Sequence, residues 1–179
     1  MSFFKSFSVL LLSLISWQGL SAQNAVIDKT AYIKFHSDIG GIYAENFSVI
    51  SKLDKVNGEL IFSVAIQSFE FKNALMQRDF NKANVMNSAA FPKSKFKGII
   101  SNLDVIDFSK DGNYAVIVDG DLTIKDVTRY VQTPGNIIIE NGKISAKAEF
   151  PLDRFEYGIT GKTKSISQIL DINIEAHYE

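Results

Sequence analysis

Two histidines, His36 and His177, are the only imidazoles in a 179-residue chain that has no cysteine. An imidazole pair can ligate a metal or exchange protons near neutral pH. Both fall on the polar phase of alternating stretches, "AYIKFHSDI" and "ILDINIEAHY", and the first and last strands of a closed barrel can be neighbours. A two-histidine metal site still needs further ligands at the right geometry, and the acidic residues are scattered along the chain. No nucleophile–histidine–acid arrangement stands out. Without thiols there are no disulfides, no thiolate catalysis and no thiolate metal sites. The expectation is a protein with no catalytic residues, no metal and no cofactor.

Two other polar groupings could meet a ligand. The Arg78 guanidinium, beside Asp79, suits a polar or anionic head group, although such neighbours are commonly a solvated ion pair. Lys93, Lys95 and Lys97 alternate with Ser94 and Phe96, so three cations share one strand face. That face either attracts an anionic surface weakly or is a solvated outer wall that blunts edge pairing. A net charge of -1 and a pI of about 6.1 give no basic footprint for nucleic acid.

The elements that must position these residues are strands. "GELIFSVAIQSF", "GNYAVIVDGDLTIKD" and "GKISAKAEFPL" repeat the period-two alternation of the two stretches above, which marks half-buried antiparallel strands. Ile33, Phe35, Phe62, Val64, Ile66, Phe96, Val116, Val118, Phe150 and Ile172 share the inward phase, with Ile39 expected to extend it in the first strand. They either fill a solid core or line a tunnel. Asn57-Gly58, Asp111-Gly112 and Asn141-Gly142 read as hairpin turns. Gly120 interrupts a long strand, where a glycine can supply the bend or bulge a closed barrel needs.

One segment breaks the pattern. Asn73 can cap a helix over 73–86, with Met76, Phe80 and Ala83 on one face and Leu75 beside them. On a barrel, such a helix would close or gate one end, and Leu75, Met76, Arg78, Phe80 and Phe91 would line the mouth. The chain opens with Lys5, an apolar run from about Phe7 to Trp17, and small residues at Gly19, Ser21 and Ala22. That reads as a signal peptide over 1–22, cleaved after Ala22. The run is short of the about 20 apolar residues a membrane span needs, and no later segment is long enough. Lacking a cysteine, the chain cannot carry a lipoprotein anchor. The expectation is one domain over 23–179, soluble in the periplasm or secreted.

The same residues carry a resemblance. "SFEFKNALMQRDFNKANVMNSAAFPKSKFKG", with Arg78-Asp79 and Phe91-Pro92-Lys93-Ser94-Lys95-Phe96, resembles the helix and following strand of the YceI-like family. "GDLTIKDVTRYV" and "FEYGIT" resemble two later segments of that family, in the same order. Phe80-Asn81-Lys82, Asp126 and Glu156 depart from its common pattern. The resemblance implies an all-β, antiparallel lipocalin-like barrel of about eight strands with one short helical insert. It also implies an isoprenoid lipid or quinone-like ligand inside, held by apolar burial at about 25 cal/mol per Å². On that reading the inward residues line a tunnel, Arg78 meets a head group, and no chemistry is done. A ligand-free interaction module of the cell envelope is the alternative.

Overall fold

The computed structural model describes residues 25–161 and 165–178. The expected signal peptide and its cleavage after Ala22 lie outside the described residues. The strands, in chain order, are β1 (Ala25–Ser37), β2 (Ile42–Asp54), β3 (Glu59–Ala65), β4 (Glu70–Phe71), β5 (Lys93–Ile100), β6 (Gly112–Ile124), β7 (Val127–Glu140), β8 (Lys143–Asp153) and β9 (Ile169–Tyr178). All pairings are antiparallel, in the order β1-β9-β8-β7-β6-β5-β3-β2, and β1 pairs with β2 to close the ring. The result is a closed eight-stranded barrel. The two-residue β4 sits beside β2 at Ala44 and Glu45, beyond the end of β3. One α-helix, α1 (Ala74–Asn81), lies in the connection between β4 and β5.

Period-two alternation becomes the inside and the outside of this barrel. Outside, cross-strand ion pairs join Lys34 to Glu45 at 3.3 Å, Lys52 to Glu59 at 3.1 Å and Lys147 to Glu175 at 3.0 Å. Lys97 reaches Glu59 at 3.4 Å, which places the lysine face of β5 on the outer wall. Exposed pairs of this kind contribute little to stability. Inside, the end that carries the β2–β3 and β7–β8 turns is solid. Val49, Leu53, Leu60, Ile100, Ile139 and Ile144 fill it, and Ser51 and Tyr178 are hydrogen-bonded there through their hydroxyls.

Turn chemistry accounts for two of the three expected hairpins. Asn141 and Gly142 both have positive φ, 52° and 76°, in a two-residue turn between Glu140 and Lys143. Gly58, at φ 73°, closes the β2–β3 turn. Asp111-Gly112 is different: Gly112 simply begins β6, and the Asp111 carboxylate accepts the Asn141 N–H at 3.0 Å. Asp111 therefore supports a neighbouring hairpin instead of making one. A further hairpin runs through Lys125, whose φ is 58°. Ile39 leaves the inward phase because β1 ends at Ser37, and it is 48% exposed.

Gly120 is not at a bulge. The β6 ladders with β5 and β7 run through it without a register shift. Instead Gly120 faces Gly98 across the β5–β6 ladder. A Cβ on Gly120 would lie 2.3 Å from the Gly98 Cα, and one on Gly98 would lie 2.3 Å from the Asp119 carbonyl oxygen and 2.4 Å from the tip of the Phe96 ring. The two glycines let the backbones approach and give the Phe96 ring its place.

Tyr157, in the 3₁₀ turn Arg154–Tyr157 after β8, is 1% exposed, and its hydroxyl has no partner among the described residues. Burial, with Glu156 adding, pushes its pKa up to about 12. Tyr157→Phe removes an unsatisfied buried hydroxyl and keeps the ring. It is expected to raise stability by about 1 kcal/mol, read as a higher urea midpoint at pH 7.

Candidate functional site

Above the solid end the barrel is hollow. Two adjoining spaces share Ile33, Val64, Ser94, Leu122, Phe150 and Ile174 as lining. The deeper one, about 100 Å³, is bounded by Phe62, Phe96, Val116, Val118, Ala146 and Ala148 among others. Gly135 and the two alanines leave it open where larger side chains would fill it. The upper one, about 500 Å³, extends to the helix end and is bounded by Phe35, Ile66, Phe69, Phe71, Leu152 and Ile172 among others. Its size falls within the roughly 300–1,000 Å³ of small-molecule pockets. All ten residues expected on the inward face border one or both spaces.

The helix reaches the mouth through one aromatic. Phe80 packs 5.0 Å from Phe71, 5.5 Å from Phe69 and 5.9 Å from Phe35, measured between ring centroids. Asn73 caps α1 as expected, its side chain accepting the Met76 N–H at 2.9 Å. The helix then stops at Asn81, short of the expected 86. Lys82 is extended, and the chain folds back so that the Met86 N–H donates to the Phe80 carbonyl at 3.1 Å. Ala83, expected on the apolar face, is therefore exposed, while Val85 and Met86 turn onto the cavity. Asn73→Ala is expected to cost about 1 kcal/mol of local helix stability. Faster amide exchange confined to α1 would show it.

Of the expected mouth residues, Met76 and Phe80 border the cavity. Three others do not. Leu75 is 58% exposed on the far side of α1, and Phe91 is half-buried away from the lumen. The Arg78 side chain is 68% exposed, 4.0 Å from the Asp79 carboxylate. Arg78 points to solvent because it lies two positions from both Met76 and Phe80 on the helix. Asp79 does border the cavity, and Lys82 holds its carboxylate at 2.7 Å.

The structure also separates the two histidines. His36 pairs with Asp171 in the β1–β9 ladder, six residues along β9 from His177, or about 20 Å. His36 lies 3.4 Å from Asp38 and His177 lies 3.2 Å from Glu175, both on the outer wall. No cluster of three or more metal-ligating side chains occurs among the described residues, and no helix among them is long and apolar enough to cross a membrane.

Sequence reading missed Arg154. It is 3% exposed and borders the upper cavity. Its Nε donates to the Ser167 carbonyl at 2.7 Å, Nη2 to Ile166 at 3.1 Å, and Nη1 to Gly161 at 2.9 Å and to Ile159. Burial pushes its pKa down, against the opposing pull of Asp153. A signal was present: Ile144, Ala146, Ala148, Phe150, Leu152 and Arg154 form one unbroken inward phase.

Comparison with known proteins agrees with this architecture. The family profile described as the YceI-like domain matches residues 23–178. Among curated proteins, none matches the chain. Solved structures share the fold, three of them as follows. One is a polyisoprenoid binding domain from Saccharophagus degradans implicated in plant cell wall breakdown, with TM-score 0.75 and 13% identity, covering 87% of this chain and 98% of that one. Another is Burkholderia cenocepacia BcnA, with TM-score 0.68 and 16% identity, covering 82% and 95%. The third is a Campylobacter jejuni YCEI protein, with TM-score 0.59 and 16% identity, covering 82% and 84%.

Proposed function

The chain belongs to the YceI-like family, and from that premise we propose that it is a carrier that holds an isoprenoid lipid in its barrel and does no chemistry on it. The observation that carries this reading is the hollow upper barrel, an apolar space of about 500 Å³ lined by phenylalanines and aliphatic side chains. A long branched tail gains about 25 cal/mol for each Å² it removes from water there, and no hydrogen-bond code is required along its length. The structural neighbour described as a polyisoprenoid binding domain supports the same ligand class. The ligand is of quinone or prenyl phosphate type, and the protein works in the periplasm or outside the cell after losing residues 1–22.

An interaction module without a ligand needs no cavity, and the lumen is the feature it leaves unexplained. The test is native mass spectrometry of protein purified from its own host without detergent, followed by lipid extraction of the same sample. The expected result is an added mass that extracts as an isoprenoid. A clean apo mass, with no uptake of offered quinones or prenyl phosphates, overturns the carrier reading. Cell fractionation that finds the protein in the cytoplasm overturns the location.

A further inference from the structure

Arg154 is a buried cation that makes no ion pair among the described residues, although Asp153 is its neighbour in the chain. The Asp153 carboxylate is used otherwise, accepting the Phe155 N–H at 2.8 Å and the Gln168 side-chain amide at 2.7 Å. Four of the five guanidinium N–H groups go to backbone carbonyls, and the second hydrogen on Nη2 has no acceptor among the described residues. The carbonyls satisfy hydrogen bonds, the Phe155 ring lies 4.8 Å from the guanidinium carbon, and Asp153 acts on the charge without an ion-pair contact. The buried cation therefore has no contacting anion, and burying a charge without one is costly. The other charged side chain on this cavity, Asp79, is already paired with Lys82.

We infer that Arg154 is the head-group site of the lumen, receiving an anionic group, phosphate or carboxylate, carried by an amphiphile whose tail fills the cavity. The inference rests on the lumen being a lipid site, as proposed above. The tail lies among the phenylalanines and aliphatics of the barrel, and the head stops at the wall formed by Arg154, Ile159 and Ser165. The free Nη2 hydrogen donates to the anion, and the guanidinium gains an anion in direct contact. Charge-assisted bonds are the strong ones, so the head contributes selectivity while the tail contributes most of the affinity.

The test compares two probes with one tail, geranylgeranyl phosphate and geranylgeraniol, by isothermal titration calorimetry on the full folded chain. Wild type is expected to bind the phosphate about tenfold more tightly than the alcohol, and inorganic phosphate alone is expected not to bind. Arg154→Gln is expected to remove the preference while keeping the affinity for the alcohol. Arg154→Lys, which keeps the charge, is expected to retain part of it. If Arg154→Gln does not fold, the wild-type pair and Arg154→Lys decide. Equal binding of both probes by wild type overturns the head-group site and leaves the carrier reading standing. Binding of neither probe overturns both. A preference that survives intact in folded Arg154→Gln, or tight binding of inorganic phosphate by itself, overturns the role of Arg154.

Discussion

Val64→Glu is expected to abolish lipid uptake, with at least a roughly hundredfold loss of affinity, while the barrel keeps its β-sheet circular dichroism. Val64 is 7% exposed and borders both the deep and the upper space, so a tail that passes between them must pass this side chain. A carboxylate there keeps its water or loses it at a cost of several kcal/mol, and either outcome blocks an apolar chain. Desolvation raises the new carboxyl's pKa, so part of the binding should return on acidification, when the group is neutral. Ile50→Glu is the matched control. Ile50 lies on β2, half exposed on the outer wall, and its replacement should leave uptake unchanged. Undiminished uptake by correctly folded Val64→Glu would move the ligand out of the barrel.

Gly120→Val should be the most damaging single change to the fold. Its Cβ meets backbone on the neighbouring strand, the Gly98 Cα at 2.3 Å and the Lys97 carbonyl oxygen at 2.4 Å. Backbone cannot swing aside as the end of a flexible side chain can. Overpacking commonly costs about 1–3 kcal/mol and occasionally more, and here the strands must part. A loss of about 3 kcal/mol or more is expected, read from urea unfolding, against a total of roughly 5–15 kcal/mol for a domain. Gly142→Ala has open space but a φ of 76°, and its strain should cost about 1 kcal/mol. If Gly120→Val were no worse than Gly142→Ala, the close approach would not matter.

The barrel was legible because its two phases are written in the chain. Ile33, Phe35, Phe62, Val64 and Phe150 alternate with polar neighbours, and a period of two fixes the face on which each residue lies. The sequence could not show where the interior stops being solid. Leu53 and Phe62 are both inward apolar residues, yet one is in the packed end and the other borders a void. That difference depends on how side chains from strands distant in sequence meet, and on small residues such as Gly135 and Ala148 bordering the space beside large ones. The helix start was legible from Asn73, a local cap. Its end was not, because the reversal that brings Met86 to Phe80 is set by backbone bonds in an aperiodic turn. Arg78 was the more visible arginine, set in a recognisable segment, but its place on α1 turns it outward. Arg154 was hidden by its chemistry: a charged residue in an apolar phase reads as the end of the strand, not as a buried cation.

Closure through β1 has a consequence for the order of assembly. The other contacts of the ring join strands that follow one another in the chain, apart from the detour through β4 and α1. The β1–β9 seam instead joins Tyr32 to Glu175, 143 residues apart. Pairings so distant form slowly, so the meander can zip from hairpin to hairpin while its two margins still search for each other. Until Ile169–Tyr178 docks, β1 and β8 are raw edges able to recruit foreign strands. In that interval there is no container at all, only an apolar trough open along one side. The last ten residues of the described chain thus turn a sticky sheet into a vessel.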